Sequence, residues 1–453
     1  MYKITLAIRY MLKRKISYFA VLAVTLCVFV VLVVITVLSG LTEEFKKNAH
    51  LSTGDCVISS KSLVGFPYYD EFIKSLQDQK EVEAVSPAIK NYALISAITD
   101  SNRLRLDNDT VQIIGIDPVQ YSRVTGFGRW LNEHKNNIAD AFKPAYKPDS
   151  PGCVPGINFL FERDSNGQYI ITEQTPKAAF EITCFPLTVK GALAKAGAGE
   201  VNTKTFYCSD FTQSGSSADW TCFYLSLDEA QILCGMDSEL KRVNEIYIRF
   251  TPNTDLETGC NKIKSLWTLF LENKQNDKYA YLLDKVTVQS WKTYNRFFIA
   301  AIETERTMMI FVFAMIGIIT VFIVFVVFYM IVSHKTKDIG ILKSVGVSNW
   351  NVLILFQGFS FMIGLTGSCL GTLGGWQFLV NINRTEDFLF RHFGFQLWDR
   401  TMYAIGDIPN TLDIKVLGAI VMSAIIACLI GALIPSWHAS RLQPTETLQV
   451  NQL

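Results

Sequence analysis

Residues 335–346 read Lys-Thr-Lys-Asp-Ile-Gly-Ile-Leu-Lys-Ser-Val-Gly and carry the sharpest local signal in this chain. Wound as a helix, the segment sets Ile339, Leu342 and Val345 on one face, while Lys335, Lys337, Asp338 and Lys343 supply charge of both signs. Gly346 is placed to end that helix with a positive φ, and Ser348 can cap the next one. This is binding chemistry. An apolar ridge flanked by charge suits a docking surface for a protein partner, or a helix lying in a lipid interface. A second pattern is Gly367, Gly371 and Gly375, repeated every four residues. A face without side chains either lets another helix backbone approach closely or permits bending. Catalytic chemistry has no comparable signal. The sequence contains no GxxxxGK[ST] phosphate loop, no HExxH and no clustered metal-ligand spacing, and its histidines (His50, His134, His334, His392, His438) are scattered. The chain therefore reads as non-catalytic and binds no cofactor of its own.

The elements that must position these residues are apolar runs. Tyr18–Leu38, Thr307–Ser333 and Val416–Trp437 are long and uncharged, and Trp350–Asn383 is apolar but dense in glycine. A hydrocarbon core about 30 Å thick needs roughly 20 helical residues. A charge at the centre of such a span costs about 2.5–3.5 kcal/mol, so uncharged runs of this length read as spans rather than core helices. The first run is too long for the apolar part of a signal peptide. Lys3, Arg9, Lys13, Arg14 and Lys15 precede it without an acid, which sets the N-terminus in the cytoplasm. Four spans return the C-terminus to the same side. The loop 334–349 then falls inside with Lys335, Lys337 and Lys343, and the short outer loop 384–413 has more acids than bases.

The fold class expected is an α-helical membrane protein with four transmembrane helices and a large mixed α/β extracytoplasmic domain between the first and second. The expected layout is an amphipathic cytoplasmic N-terminus (1–16), a first span (17–39), the outer domain with stalk ends (40–306) and a second span (307–333). The coupling loop (334–349), third span (350–383), outer loop (384–413), fourth span (414–437) and cytoplasmic tail (438–453) follow. Within the outer domain, strands are expected at Cys56–Ser59, Ala88–Ile98, Val111–Ile116, Cys222–Leu225 and Glu245–Phe250, with helices at Tyr68–Gln77 and from about Leu256 to Leu271. Ser226-Leu-Asp-Glu229 has the form of a capping box. Residues 132–217 differ in character, polar and proline-marked, and are read as an inserted subdomain. Gly40–Leu51 continues the first span, with Leu41, Phe45 and Ala49 four apart. Trp291, Tyr294, Phe298 and Ile302 recur at helical spacing before the second span. Such a paired stalk would carry a tilt or slide at the membrane to the outer domain, or would simply anchor it.

Basic and acidic residues number 42 and 41, a net charge of +1 that gives no reason to expect nucleic acid. Ten cysteines divide into three within spans (Cys27, Cys369, Cys428) and seven outside (Cys56, Cys153, Cys184, Cys208, Cys222, Cys234, Cys260). Seven is odd, so at least one outer thiol stays free or pairs with another chain. Buried thiols with one or two bridges are expected rather than a disulfide framework.

HKTKDIGILKSVGVSNWNVLILFQGFSFMIGLTGSCLG resembles the signature of FtsX/MacB-type ABC transporter permeases, and most of all the lipoprotein-releasing LolC/LolE permeases. LAIRYMLKRKISY, ITVLSGLTEEFKK, VQIIGIDP, SGSSADWTCFYLSLDEAQIL, VTVQSWKTYNRFFIAAIETERTMM and ALIPSWHASRLQPTETLQ extend the likeness, in order, over nearly the whole chain. Residues 153–210 and the Lys195–Gly199 turn (KAGAG) depart from the family's pattern. The resemblance implies the membrane subunit of an ABC transporter in a bacterial inner membrane. A separate cytoplasmic ATPase, carrying the ATP and Mg, would drive it. A second permease copy or a paralogue, lipoprotein cargo, an outer carrier and membrane lipid are the other implied partners. Efflux, control of an extracytoplasmic hydrolase, or a membrane-anchored sensor are the alternatives.

Overall fold

The computed structural model describes residues 15–60, 62–98, 109–161, 169–171, 177–192, 201–214, 218–237, 240–393 and 408–442. The N-terminal amphipathic segment, the KAGAG turn, most of the 384–413 loop's second half and the end of the tail lie outside these residues. The described residues divide into two compact units, one within 44–299, the other formed by 15–43, 300–393 and 408–442.

Among the described residues, the first unit is built on one nine-stranded sheet. Its strands are β1 (Cys56–Ser60), β2 (Val82–Ile98), β3 (Asp109–Ile116), β4 (Gly152–Pro155), β5 (Ala179–Cys184), β6 (Asn202–Cys208), β7 (Cys222–Ser226), β8 (Glu245–Phe250) and β9 (Val286–Ser290). β2 is 17 residues long and meets three partners. Residues 82–88 pair with β8, 88–95 with β3 and 94–98 with β5. Since β3 overlaps both other stretches, β8 and β5 share the opposite edge. The pairings β2–β3–β7–β4–β6–β5–β2 close a ring, and β8, β1 and β9 continue from the first half of β2. Closure leaves these six strands little exposed edge.

Residues 132–217 are thus not a separate inserted subdomain. They contribute β4, β5 and β6, half of the ring, and their strands are held by ladders to β7 and β2. The expected strands are all present. β2 and β3 begin earlier than expected, because pairing with β8 and with each other extends them.

Alternation of side chains divides the core between two faces of the sheet. Cys56, Ile58, Ile113, Phe223, Leu225, Ile246 and Ile248 join one cluster with Phe66, Phe72, Ile263 and Trp267. Their neighbours Val57, Ile114, Tyr224 and Tyr247 join the other, with Tyr121, Val124, Phe127 and Trp130. The helices Tyr69–Gln77 and Leu256–Asn273 cover the first face, where the Phe72 and Trp267 rings meet edge to face at 4.8 Å. Ser226 caps the helix Leu227–Cys234 by accepting from the Glu229 N–H. Glu229 does not complete a capping box, because its carboxylate pairs with Lys204 Nζ at 2.6 Å.

Among the described residues, four helices are long and apolar enough to cross a membrane: Ser17–Thr53, whose helix begins at Lys15, Arg296–His334, Asn349–Val380 and Ile414–Arg441. The first of these helices continues without a break to Thr53. The segment before the second helix is not continuous with it. A one-turn helix, Trp291–Tyr294, ends at Asn295, whose side-chain amide folds back to the Trp291 carbonyl at 3.0 Å.

Candidate functional site

Three places bear on function. The first is the contact face of the third apolar helix. A Cβ on Gly367 would lie 2.8 Å from Val24 Cβ, one on Gly371 2.7 Å from the Thr25 carbonyl oxygen, and one on Gly375 2.8 Å from Leu32 Cδ2. Every residue met belongs to the first apolar helix, so this stripe seats one backbone against another. Gly364 turns instead to the fourth helix, where its Cβ would stand 3.2 Å from Ile425 Cα. Ser360 Oγ donates to the Cys428 carbonyl at 2.7 Å on that same side. The third helix is therefore the centre of the bundle. The Phe328 and Phe359 rings, 5.3 Å apart, bring in the second helix.

The second place is the loop between the second and third apolar helices. It folds as the helix Thr336–Ser344. Gly346 follows with φ +93°, and the Ser348 hydroxyl accepts from the Asn351 N–H to start the third apolar helix. The side chains are arranged differently from the ridge expected of Ile339, Leu342 and Val345. Ile339 is 2% exposed and packs inward with Gly340; Leu342 is half-buried. The apolar groups that face outward are Ile341 and Val345, 54% and 80% exposed, and Trp350 a turn beyond. Lys335 and Asp338 pair with each other across one turn. Lys343 Nζ donates to the Ser440 and Leu442 carbonyls at 2.6 and 2.7 Å, closing the C-terminal end of the fourth apolar helix. Partial burial lowers its pKa. Lys337 is exposed.

The third place, where both stalk segments meet the sheet, is a junction that side-chain spacing did not reveal. His50, in the last turn of the first long helix, bonds Asp55 Oδ1 at 2.7 Å and stacks on Trp291 at 4.9 Å. Asp55 Oδ2 accepts from the Phe250 N–H at 2.8 Å, and the Asp55 carbonyl from the Trp291 N–H at 3.0 Å. Burial raises the Asp55 pKa, but His50 and the Phe250 N–H outweigh it, so the net shift is downward. Beside this clamp, Tyr294 donates to Glu245 Oε1 at 2.5 Å, Tyr247 donates to Oε2, and Lys90 Nζ lies 3.4 Å from the Tyr294 oxygen. Burial above all, and then the Glu245 carboxyl, push both phenols well up, so they remain donors across the physiological range. Phe45 and Phe298 meet edge to face at 5.6 Å further along the two segments. Strand pattern and helical spacing placed Glu245, Tyr247, Trp291 and Tyr294 separately, but neither carries a signal that joins Glu245 to a residue 49 positions away.

Among the described residues, no group of three or more His, Cys, Asp and Glu could hold a metal ion. The arrangement comprises an exposed loop helix, a close helix–helix contact and a polar junction between strand and stalk segments.

Two family models match the chain in succession. Residues 17–266 match the MacB-like periplasmic core domain, and residues 310–444 match the FtsX-like permease C-terminal region. Among curated relatives, the lipoprotein-releasing system transmembrane protein LolC of Neisseria meningitidis serogroup B is 32% identical over 170 residues, 37% of this chain and 40% of that protein. LolC of Xylella fastidiosa is 27% identical over 162 residues, 36% of this chain and 39% of the relative. The chain thus spans about two fifths of the length of these LolC relatives. LolE of Haemophilus influenzae is 20% identical over 443 residues, 96% of this chain and 94% of that protein. The crystal structure of the periplasmic region of MacB from Actinobacillus actinomycetemcomitans covers 55% of this chain and 94% of its own, at 9% identity and a TM-score of 0.29.

Proposed function

Because the chain belongs to the family that joins a MacB-like periplasmic core domain to an FtsX-like permease region, we propose that it is the membrane subunit of an ABC transporter releasing lipoproteins from the inner membrane. In this reading the sheet unit stands outside the cytoplasmic membrane, and both termini and the loop helix stand inside. A cytoplasmic ATPase in trans holds the ATP and Mg. The four apolar helices pass its motion through the stalk segments to the sheet. A second permease, identical or paralogous, completes the path, and an outer carrier takes the cargo.

The release step needs such a drive. Each buried CH₂ of a lipid anchor contributes about 0.8 kcal/mol, so a triacyl anchor is held by something on the order of 30 kcal/mol. Efflux or control of an extracytoplasmic hydrolase would use the same mechanical parts, and the match to the MacB-like core favours neither cargo by itself. The names of the LolC and LolE relatives, both lipoprotein-releasing system proteins, favour lipoprotein.

The observation that carries the reading is the loop helix. It displays Ile341 and Val345 to solvent while Lys343, Ile339 and the Lys335–Asp338 pair fix it to its own chain. A short helix held that rigidly can transmit a push. Its test is co-purification of the proposed ATPase partner with wild type and with Ile341→Asp plus Val345→Asp, with ATPase activity and lipoprotein release followed in nanodiscs and proteoliposomes. Loss of the subunit and of release supports the reading. Retained ATPase with unchanged stimulated hydrolysis removes this helix as the coupling element.

A further inference from the structure

The loop helix Thr336–Ser344 has two sides. Residues four apart on a helix share a side, and residues two apart point in nearly opposite directions. Ile341 and Val345 are four apart and exposed. Ile339 and Lys343 are also four apart and alternate with them, so they occupy the opposite side. Ile339 is buried there, and Lys343 is half-buried and hydrogen-bonded. One side of the helix is therefore open, and the other is fastened to the bundle.

The chain itself joins the loop helix to the second and third apolar helices, at Lys335 and Ser348. The fourth is remote in sequence, and Lys343 reaches it across 97 and 99 residues. Its ammonium carries three N–H groups, and two of them go to the Ser440 and Leu442 carbonyls at 2.6 and 2.7 Å. Ser440 lies in the last turn of Ile414–Arg441 and Leu442 is its cap. At such an end no donor remains within the helix, and the aligned peptide dipoles gather negative charge. A positive donor is matched to it in both respects. Water would satisfy the same two carbonyls, so capping alone does not call for a side chain from another helix. A tie between the two helices does.

The fourth helix is seated firmly a little further along. Pro435 lies inside it and supplies no N–H to the turn before, which removes one bond from the ladder just behind the tied end. Beyond that point, a Cβ on Gly431 would lie 2.6 Å from the Val321 carbonyl oxygen of the second helix. The Cys428 carbonyl accepts from Ser360 Oγ of the third at 2.7 Å. A displacement applied at Ser440 and Leu442 thus arrives within about three turns at contacts with two other helices.

We propose that Lys343 is the positioning residue that carries displacement of the loop helix into the fourth apolar helix. A push on Ile341 and Val345 then moves the end of that helix instead of bending the loop alone. The proposal rests on the reading of the loop helix as the contact for a cytoplasmic ATPase. Lys343 does not touch that partner. It sits on the other side of the helix and decides what the partner's motion reaches.

The test uses the full chain in nanodiscs with the proposed ATPase partner, comparing wild type, Lys343→Met and Lys343→Arg. Four quantities are measured: ATPase retained, ATP hydrolysed, lipoprotein released per ATP, and hydrogen exchange at residues 437–442. Methionine keeps an unbranched stem and removes the donors. Lys343→Met is expected to retain the ATPase and its hydrolysis, because Ile341 and Val345 are untouched. Release per ATP is expected to fall about tenfold, the factor that corresponds to one charge-assisted hydrogen bond. Exchange at 437–442 is expected to rise, and Lys343→Arg, which keeps a charged donor, to restore most of the yield. Unchanged release per ATP in Lys343→Met, with exchange raised, reduces the lysine to a cap and overturns the proposal while the functional reading stands. Loss of the ATPase together with release assigns Lys343 to docking or folding and also overturns it. A wild-type chain that retains no ATPase overturns the functional reading, and the proposal with it.

Discussion

At the scale of single residues, the junction formed by Glu245, Tyr247, Tyr294 and Lys90 gathers polar groups that satisfy one another. A buried acceptor that loses a donor costs about 1–3 kcal/mol. Tyr294→Phe keeps the ring and removes the hydroxyl, so the sheet unit is expected to lose stability of that order, read as a lower denaturation midpoint of the purified protein. An unchanged midpoint would show that water or Lys90 replaces the bond. Asp55 adds a pH dependence. Its folded pKa lies below the ordinary carboxylate value, so its share of stability is present above about 4, the unfolded value, and is lost as pH falls through the folded one. Asp55→Asn is expected to flatten the acid limb of the melting curve, and a limb as steep as wild type would assign acid loss to other carboxylates. The Gly346 stop and the Ser348 cap were legible in the sequence because each depends on its own neighbours. Glu245 and Tyr294 were not, because nothing local distinguishes a strand glutamate that faces solvent from one that holds two phenols.

Elements behave the same way. The glycine stripe was legible as a bare face, and its partner helix was not, since any of three neighbours could have filled it. The structure gives it Val24, Thr25, Val28 and Leu32 of the first apolar helix. Gly371→Leu would press against a backbone carbonyl that cannot turn aside, with an overpacking cost of about 1–3 kcal/mol. Gly358, on the same helix, has nothing within 4 Å of its Cβ position. Gly358→Leu is therefore the matched control. Insertion is expected for both, with transport lost only in Gly371→Leu; equal activity would deny the stripe its packing role. The loop helix shows the limit of periodicity from the other side. Spacing put Ile339, Leu342 and Val345 together, but which face turns outward is set by what the rest of the chain offers. Lys343 finds the open carbonyls of the fourth apolar helix and Ile339 finds the core, which turns Ile341 and Val345 outward. The strands of residues 132–217 escaped for a related reason. β4 is four residues long, β5 and β6 lie among polar turns, and short strands declare themselves only through their ladders.

For the whole molecule, the proposed placement makes a direct prediction. Labelling from outside is expected at Asn136→Cys and not at Ser348→Cys; labelling of both would reverse or dissolve the topology. The long-range plan, with a large domain between the first and second of four apolar helices, was readable from hydropathy alone, because membrane spans need no tertiary partner to announce themselves. The closed strand ring was not, since closure depends on β2 being shared among three strands.

The pairing of β1 with β9 fixes how that domain can be loaded. The chain arrives at Cys56 and departs at Ser290, and these two residues face each other at one end of an antiparallel ladder. Forces that spread the two stalk segments therefore peel the ladder bond by bond, the weakest way to load a sheet. Forces that carry both segments together strain no bond in it. The His50–Asp55–Trp291 clamp sits at the open end of this zipper, where the first tooth would part. The domain is consequently stiff to being pushed or pulled as one body and compliant to being prised apart, and the clamp sets the threshold between the two responses.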